Sequence, residues 1–402
     1  MIYMYNENMN NGMPRNFQLT VANAAISRFG LSAYNLVIIW VILQVTGKPA
    51  LAGLADSMMT FPLMLSIVVG SFVDRMWLKK ELAISAAVIR VVLLLFILFA
   101  IHTGKDLYIA VSIFAATFIL GFTSDVIDSV RSSWMKAFLR EDQYKAGSSE
   151  MSSATMIAQG VGFILSGIII ALGDIRSFLV LTLIFLISIL PILAIRHARY
   201  GGTDTIQNYI KEGIKLAIGD GRIREVIIIG LIGNFIVGMA AIMFISLVQV
   251  GFRLPAIYVS MIFGVLVFGI AIGSVAGSKI TGNVGRISIA MYAIVGISFF
   301  SISLVKNALL AVPPSFIAGM AMGIENVAVN TSLMRIIPID MMARIQGAFN
   351  TFGIAATAVS SIVGGFLYQS AGRIYSFMIV GVSMILVSAL IKFLRNFSSM
   401  IY

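Results

Sequence analysis

Seven ionisable side chains lie inside long apolar stretches of this 402-residue chain, where a charge is costly. An ionised side chain at the middle of a bilayer costs at least roughly 2.5 to 3.5 kcal/mol, so each one predicts a water-filled cavity or a fixed partner. The four acids and three arginines are Asp56, Asp125, Asp128, Glu325, Arg28, Arg90 and Arg131.

Carboxylates in such positions can carry protons, because a carboxyl group shielded from water binds a proton more readily than one in solution. We expect Glu325 to be the main proton carrier, with Asp128 and Asp125 in the same part of the pathway. Two structural alternatives stay open. Asp128 can pair with Arg131 three residues later on the same helix face, and Glu325 can bond to helix ends or to Asn326.

Further polar residues follow helical spacing. Arg28, Ser32 and Asn35 fall at i, i+4 and i+7, which places a polar stripe on an otherwise apolar helix and predicts that it lines a cavity. Arg28 can contact an anionic group of a substrate or neutralise Asp125 or Asp128. The other residues predicted to line the cavity are Arg131, Asn234, Asn326 and Asn350.

Three more positions have mainly structural interpretations. Arg90 can extend its head group toward the membrane surface or pair with Asp125, so we expect a structural charge there. Thr357 and Ser361 continue a polar stripe from Asn350, which predicts either cavity lining or hydrogen bonds between helices. Asp56 lies near the outer mouth.

The composition of the chain predicts which kind of structure holds these residues in place. With 59% hydrophobic and 11% charged residues and a mean hydropathy of +1.00, the chain predicts an all-α protein that crosses a membrane many times. One crossing needs roughly 20 apolar residues. Twelve spans fit, at residues 17–44, 51–72, 81–101, 107–130, 147–172, 177–196, 224–248, 256–278, 287–305, 308–334, 343–370 and 373–394.

The net charge of +11 reflects the loops rather than one binding face. With the N-terminus inside, nineteen of the 28 Lys and Arg residues fall in cytoplasmic loops or tails and six fall outside. This distribution follows the positive-inside rule and predicts a multi-pass protein of the cell membrane with both termini in the cytoplasm. It disfavours a nucleic-acid partner.

Several enzyme classes lack their residues here. The chain has no cysteine, its two histidines fall in predicted loops, and it contains neither a His-Glu-x-x-His metal motif nor a nucleotide-binding loop. We therefore expect no catalytic residues, no metal and no cofactor, and we predict that the chain is not an enzyme.

An internal repeat divides the chain. Residues 130–145 resemble residues 329–344, and the same offset of 199 residues relates Gly173–Phe178 to Gly372–Phe377. The repeat predicts two pseudo-symmetric six-helix bundles. The domains are then a cytoplasmic tail at 1–16, a bundle at 17–196, a linker at 197–222 with an amphipathic piece near 206–218, and a bundle at 223–402.

One charged loop, residues 70–80, separates the second and third spans. Its residues Gly70, Asp74, Arg75, Lys79 and Lys80 resemble the loop signature of the major facilitator superfamily, and the repeat and span count extend that resemblance over the whole chain. The resemblance implies the major facilitator fold and transport by alternating access. These five residues would form a conformational latch, with Asp74 near residues 344–347, the start of the eleventh span.

A finer resemblance rests on Ser27 to Gly30, Trp40, Thr46, Gly47 and Arg90, which are similar to the macrolide-efflux and enterobactin-export branch of that family. It implies proton-coupled efflux of hydrophobic or cationic organic compounds. The partners would be a small-molecule substrate, protons and the lipid bilayer, and we expect a monomer. Proton-coupled uptake of a small organic solute and a non-transporting membrane sensor remain alternatives.

Overall fold

The computed structural model describes residues 13–196, 219, 221–337, 339–398 and 400, and within these it leaves out the side chains of residues 67, 71, 74, 145, 334, 339–352 and 354. Most of the predicted tail at 1–16 and nearly all of the predicted linker at 197–222, including its amphipathic piece, lie outside the described residues.

Helices make up all the secondary-structure elements of the described chain, as expected where lipid cannot satisfy backbone groups. The first half contains α1 (Arg15–Thr46), α2 (Pro49–Thr60), α3 (Ser66–Arg75), α4 (Lys79–Thr103), α5 (Asp106–Phe138), α6 (Tyr144–Ala171) and α7 (Asp174–Ala194). The second half contains α8 (Gly221–Ser246), α9 (Ile257–Gly277), α10 (Val284–Ser303), α11 (Val312–Ile336), α12 (Ile339–Ile391) and a short α13 (Arg395–Ser398).

Ten helical segments of the described residues are long and apolar enough to cross a membrane, which agrees with the predicted fold class. Two places explain why the count differs from twelve. The predicted span at 51–72 is divided into α2, a 3-10 turn at Phe61–Leu65 and α3, because Pro62 has no backbone N–H to continue the helix. The last two predicted spans both lie in α12, as two helices that meet directly at Gly372, whose backbone angles are not helical. The number of crossings, twelve, stays a prediction.

Four turns at one end of the molecule contain glycine in the left-handed region. Gly47, Gly104, Gly173 and Gly372 have φ angles of +65°, +67°, +89° and +71°, a conformation that other residues rarely adopt. Because short loops join successive helices, these turns all lie at the end where α1 finishes, which we call the glycine end. The opposite end contains Lys79 and Lys80, and we call it the basic end.

Two of these turns are built alike. Ser177 Oγ donates to the carbonyl oxygens of Ile169 and Gly173 at 2.7 and 2.8 Å, and Ser376 Oγ donates to those of Leu367 and Gly372 at 3.1 and 2.6 Å. Ser177 and Ser376 are 199 residues apart, and both are buried. The shared geometry supports the internal repeat that the sequence predicts.

The two halves of the chain meet at the glycine end. On one side α2 packs against α12, where Ser57 Oγ donates to the Ala358 carbonyl oxygen at 2.5 Å. On the other side α6 packs against α9, where the Gly167 N–H donates to Ser260 Oγ at 2.7 Å. These contacts close the molecule at this end.

Toward the basic end α6 and α9 diverge. Gly167 and Gly160 lie on one face of α6 and contact α9, but Met156, one turn further along that face, is 73% exposed. Val275 on the matching face of α9 is 63% exposed. The space between the halves is therefore closed at the glycine end and opens toward the basic end.

Candidate functional site

Glu325 lies in a cavity of about 150 Å³ within the second half, between α8, α10, α11 and α12. Its Oε1 accepts a hydrogen bond from Ser288 Oγ of α10 at 2.9 Å. Its Oε2 is buried and has no hydrogen-bond partner among the described residues. One carboxylate oxygen is thus free to bind a proton or a cationic group.

The rest of this cavity combines amide groups with apolar walls. Asn234, Asn326 and Tyr292 line it, and Val226, Val237, Met291 and Phe397 are among the apolar residues around them. Asn234 and Asn326 are exposed, so the cavity communicates with open space. The predicted cavity residues Asn234 and Asn326 therefore lie beside Glu325. Ser288 and Tyr292, which also lie beside Glu325, have no distinguishing pattern in the sequence.

The two aspartates of α5 have different surroundings. Asp125 is buried, and its Oδ1 accepts a hydrogen bond from Ser66 Oγ at 2.7 Å, whereas its Oδ2 has no partner in the described part of the chain. Asp128 forms an ion pair with Arg131, with 2.5 Å between Oδ1 and Nη1, and its side chain is 42% exposed. Ser66 and Asp125 hold α3 against α5.

Arg90 does not pair with Asp125, although the sequence left that possibility open. Its Nε donates to Thr123 Oγ1 at 3.1 Å, its Nη1 donates to Ser27 Oγ at 2.7 Å, and its guanidinium lies 5.6 Å from the centre of the Phe185 ring. The side chain is fully buried and joins α4 to α1, α5 and α7. Hydroxyl groups thus satisfy Nε and Nη1, whereas the buried Nη2 has no hydrogen-bond partner among the described residues.

The residues of the polar stripe on α1 have different surroundings in the structure. Ser32 is buried against α6 and bonds back to the Arg28 carbonyl oxygen at 2.8 Å, so it does not face open space. The Arg28 guanidinium has no hydrogen bond or ion pair within the described residues and therefore does not neutralise either aspartate. It is close enough to Arg90 and Arg131 for their charges to repel.

Asn35 ends the stripe and belongs to a contact between the halves. Its Nδ2 donates to Asp56 Oδ1 on α2, and Ser361 Oγ on α12 donates to Asp56 Oδ2. The carboxyl group of Asp56 therefore links α1 and α2 of the first half to α12 of the second half. The sequence placed Asp56 near the outer mouth but gave no sign of this contact, because Asp56 and Ser361 are 305 positions apart.

The predicted latch is described only in part. The structure does not describe the side chains of Asp74 and of residues 344–347. It also does not describe that of Asn350, which the sequence predicts to line the cavity. Lys79 Nζ donates to the Val73 carbonyl oxygen at 2.9 Å, and Lys80 Nζ donates to those of Leu193 and Ile195 at 2.8 and 2.7 Å. Both lysines thus bond within the first half, while Arg75 is exposed and Gly70 packs loosely near Ser129.

Two sets of membrane helices that meet at one end and separate toward the other, with a carboxylate in a cavity of one set, are typical of a secondary transporter. The chain belongs to the Major Facilitator Superfamily, whose family model matches residues 20–360. No curated protein matches the sequence at a significant level.

Solved structures with the same fold carry different substrates. A bacterial homologue of the iron transporter ferroportin in its inward-facing state has a TM-score of 0.73 at 13% identity, covering 94% of this chain and 98% of its own. The nucleoside transporter NupG has a TM-score of 0.69 at 14% identity, covering 95% and 99%. A POT family transporter in complex with 5-aminolevulinic acid has a TM-score of 0.71 at 13% identity, covering 95% and 96%. At these identities the similarity concerns the fold alone.

Proposed function

We propose that the chain is a proton-coupled efflux transporter of the cell membrane that exports hydrophobic or cationic organic compounds, such as drugs, macrolides or siderophore-like molecules. The observation that carries the proposal is the Glu325 carboxylate, which has one hydrogen-bonded oxygen and one buried oxygen without a partner among the described residues. Such a group gains and loses a proton as water access and nearby donors change. The resemblance to the macrolide-efflux and enterobactin-export branch supports the direction and substrate class.

The cycle is alternating access. With both termini in the cytoplasm, the glycine end is extracellular, so contacts between α2 and α12 and between α6 and α9 close the outer side and leave the inner side open. A substrate enters from the cytoplasm, and a proton on Glu325 is released there. The latch around Asp74 would hold the opposite, outward-facing state. The working unit is a monomer of two six-helix bundles.

Uptake of a small organic solute is the second candidate function. It is favoured by Arg28, whose guanidinium forms no ion pair within the described residues and lies close enough to two other arginines for their charges to repel. A substrate carrying a carboxylate would supply that counter-charge, since guanidinium binds carboxylates in a bidentate manner. Arg28→Ala would then abolish transport of organic acids and leave transport of lipophilic cations intact.

The test uses inside-out vesicles acidified by respiration, a pH-quenched dye and a panel of tetraphenylphosphonium, macrolides and siderophores. Adding a transported compound should release protons from vesicles containing wild type, and not from vesicles containing Glu325→Gln. Glu150→Gln is the matched control, because Glu150 is an exposed acid of α6 outside the cavity. Efflux by antiport would be refuted if no compound releases protons from vesicles containing folded, inserted wild-type protein.

A further inference from the structure

Within the part of the chain that the structure describes, the carboxyl group of Asp56 lies in the outer contact between the halves without a cation paired to it. Asp56 accepts hydrogen bonds from Asn35 of its own half and from Ser361 of the other half. It forms no ion pair within the described chain. Asp56 is thus held across the contact by neutral donors alone.

The backbones of α2 and α12 approach closely around this group. A Cβ atom placed on Gly53 would overlap the Ser361 backbone, and one on Gly365 would overlap the Pro49 backbone. Ser57 Oγ bonds to the Ala358 carbonyl oxygen in the next turn. Asp56 itself is only partly exposed, and its two carboxylate oxygens are hydrogen-bonded to Asn35 and Ser361.

Charged and ionisable groups on the surrounding helices lie elsewhere. Lys48 precedes α2 and is exposed, Tyr34 of α1 bonds to Thr117 of α5, and Arg373 of α12 lies over the Phe252 ring at 4.6 Å. Among the residues whose side chains the structure describes, the remaining ones on these helices are Arg15 and Arg28 on α1, Asp106, Tyr108, Asp125, Asp128, Arg131 and Lys136 on α5, Arg222, Arg224 and Glu225 on α8, and Tyr368 and Tyr375 on α12. Within the described residues, none is recorded in contact with Asp56.

We propose that Asp56 is a gate residue whose protonation from the outer solution closes the extracellular side of the transporter. An ionised carboxylate without a counter-charge is costly in this contact, whereas a neutral carboxyl group can still accept from Asn35 and exchange a hydrogen bond with Ser361. When α2 and α12 separate, the group loses Ser361 and gains water, which favours the ionised form. Acid outside therefore drives the protein toward the inward-facing state.

This role adds to the proposed proton-coupled cycle and differs from that of Glu325. The proton on Asp56 controls which side is open, and the proton on Glu325 is the one exchanged for substrate. External protons would thereby return an efflux transporter to the state that loads substrate from the cytoplasm. The proposal depends on the proposed function only in that the glycine end is taken as extracellular and the basic end as cytoplasmic.

The test measures opening directly with spin labels, which the cysteine-free sequence allows without background. Lys105→Cys and Lys306→Cys place exposed labels on the two halves at the glycine end, and Arg140→Cys with Arg286→Cys does the same at the basic end. Distances are recorded by pulsed electron paramagnetic resonance in nanodiscs between pH 5 and pH 8. The ratio of closed to open populations at the glycine end is the readout.

For wild type we expect this ratio to rise as pH falls, by up to about tenfold per pH unit for one linked proton. Asp56→Asn should remain closed at every pH. Ser361→Ala should close less at each pH and keep the pH dependence. If Asp56→Asn does not fold, Asp56→Ser, which is also uncharged, must lose the pH dependence instead.

A wild-type ratio that does not change with pH would overturn the proposal, and so would an unchanged pH dependence in the folded Asp56 variant. Glu325→Gln separates this outcome from failure of the proposed function. It should keep the pH dependence of the glycine-end distance, whether or not Glu325 proves to carry the transported proton.

Discussion

At the scale of single residues, Glu325 and Arg90 are both held by hydroxyl groups of neighbouring helices. An acid in an apolar stretch must have a cavity or a partner, so Glu325 could be selected without any structure. Its partner Ser288 is 37 positions away on α10, and nothing distinguishes it from many other serines in the sequence. Arg90 shows the same limit, because its partners Ser27 and Thr123 are ordinary hydroxyl residues of other helices.

Ser288→Ala tests the hydrogen bond to Glu325. A donor to a carboxylate favours the ionised form, so its removal should let Glu325 keep its proton at higher pH. We expect proton-coupled transport to persist, with a pH profile displaced toward alkaline pH. The profile can be measured with the dye assay in vesicles of fixed internal pH. An unchanged profile in a folded variant would show that Ser288 does not influence the proton carrier.

Arg90→Ala should destabilise the first half strongly. The change removes two hydrogen bonds of a buried cation, each of about 1.5 to 3 kcal/mol, and the contact with Phe185. A large fall in the thermal unfolding temperature in detergent is the expected result. Arg28→Ala is the control, because the Arg28 guanidinium has no partner to lose in the described structure. Equal stability of the two variants would contradict this interpretation of Arg90.

At the scale of helices, apolar length predicts most of the spans. Runs of roughly 20 apolar residues must be helical in lipid, so α4 (Lys79–Thr103) and α10 (Val284–Ser303) match their predicted spans to within a few residues. The division of the second span could have been predicted from Pro62, which the hydropathy pattern conceals. Close packing of α2 on α12 could not, since it depends on which glycines of distant segments meet.

Gly365→Val should prevent the extracellular side from closing. Its side chain would overlap the backbone of Pro49 and Ala50 on α2, which cannot move without separating the helices. We expect the label pair at Lys105 and Lys306 to report a longer distance at all pH values. Gly353→Val is the control, because a Cβ at Gly353, on the same helix α12, meets nothing within 4 Å. A closed glycine end in Gly365→Val would show that this contact is not what brings the halves together.

At the scale of the whole molecule, the 199-residue repeat predicts two related halves, and the matching turns at Gly173 and Gly372 support it. Which end is open could not be predicted. A transporter that works by alternating access must stabilise both states to a similar degree. The same hydrophobic pattern and the same distribution of charge therefore serve both states, and neither pattern indicates which end is open. The conformation becomes visible only through contacts such as those of Gly167 and through the exposure of Met156.

Met156→Cys tests the open side. The side chain is 73% exposed on the α6 face that α9 covers nearer the glycine end. We expect a membrane-impermeant maleimide to label it in inside-out vesicles and not in right-side-out vesicles. Adding Gly365→Val should slow the labelling several-fold, as the halves close at the basic end. Labelling from the opposite side would reverse the assignment of the two ends.

Asp56 and Glu325 lie at different depths from the glycine end, so the membrane voltage affects their protonation to different degrees. Asp56 lies seven residues into α2, about 10 Å from the glycine end, whereas Glu325 lies 13 residues into α11, about 20 Å from it. One elementary charge crossing the full potential gains about 2.3 kcal/mol per 100 mV. A proton that reaches Glu325 from outside crosses most of this electric field, and one that reaches Asp56 crosses a smaller part. An energised membrane would therefore drive the proton to Glu325 about twice as strongly as the proton to Asp56, and it would also raise the external pH at which the gate closes.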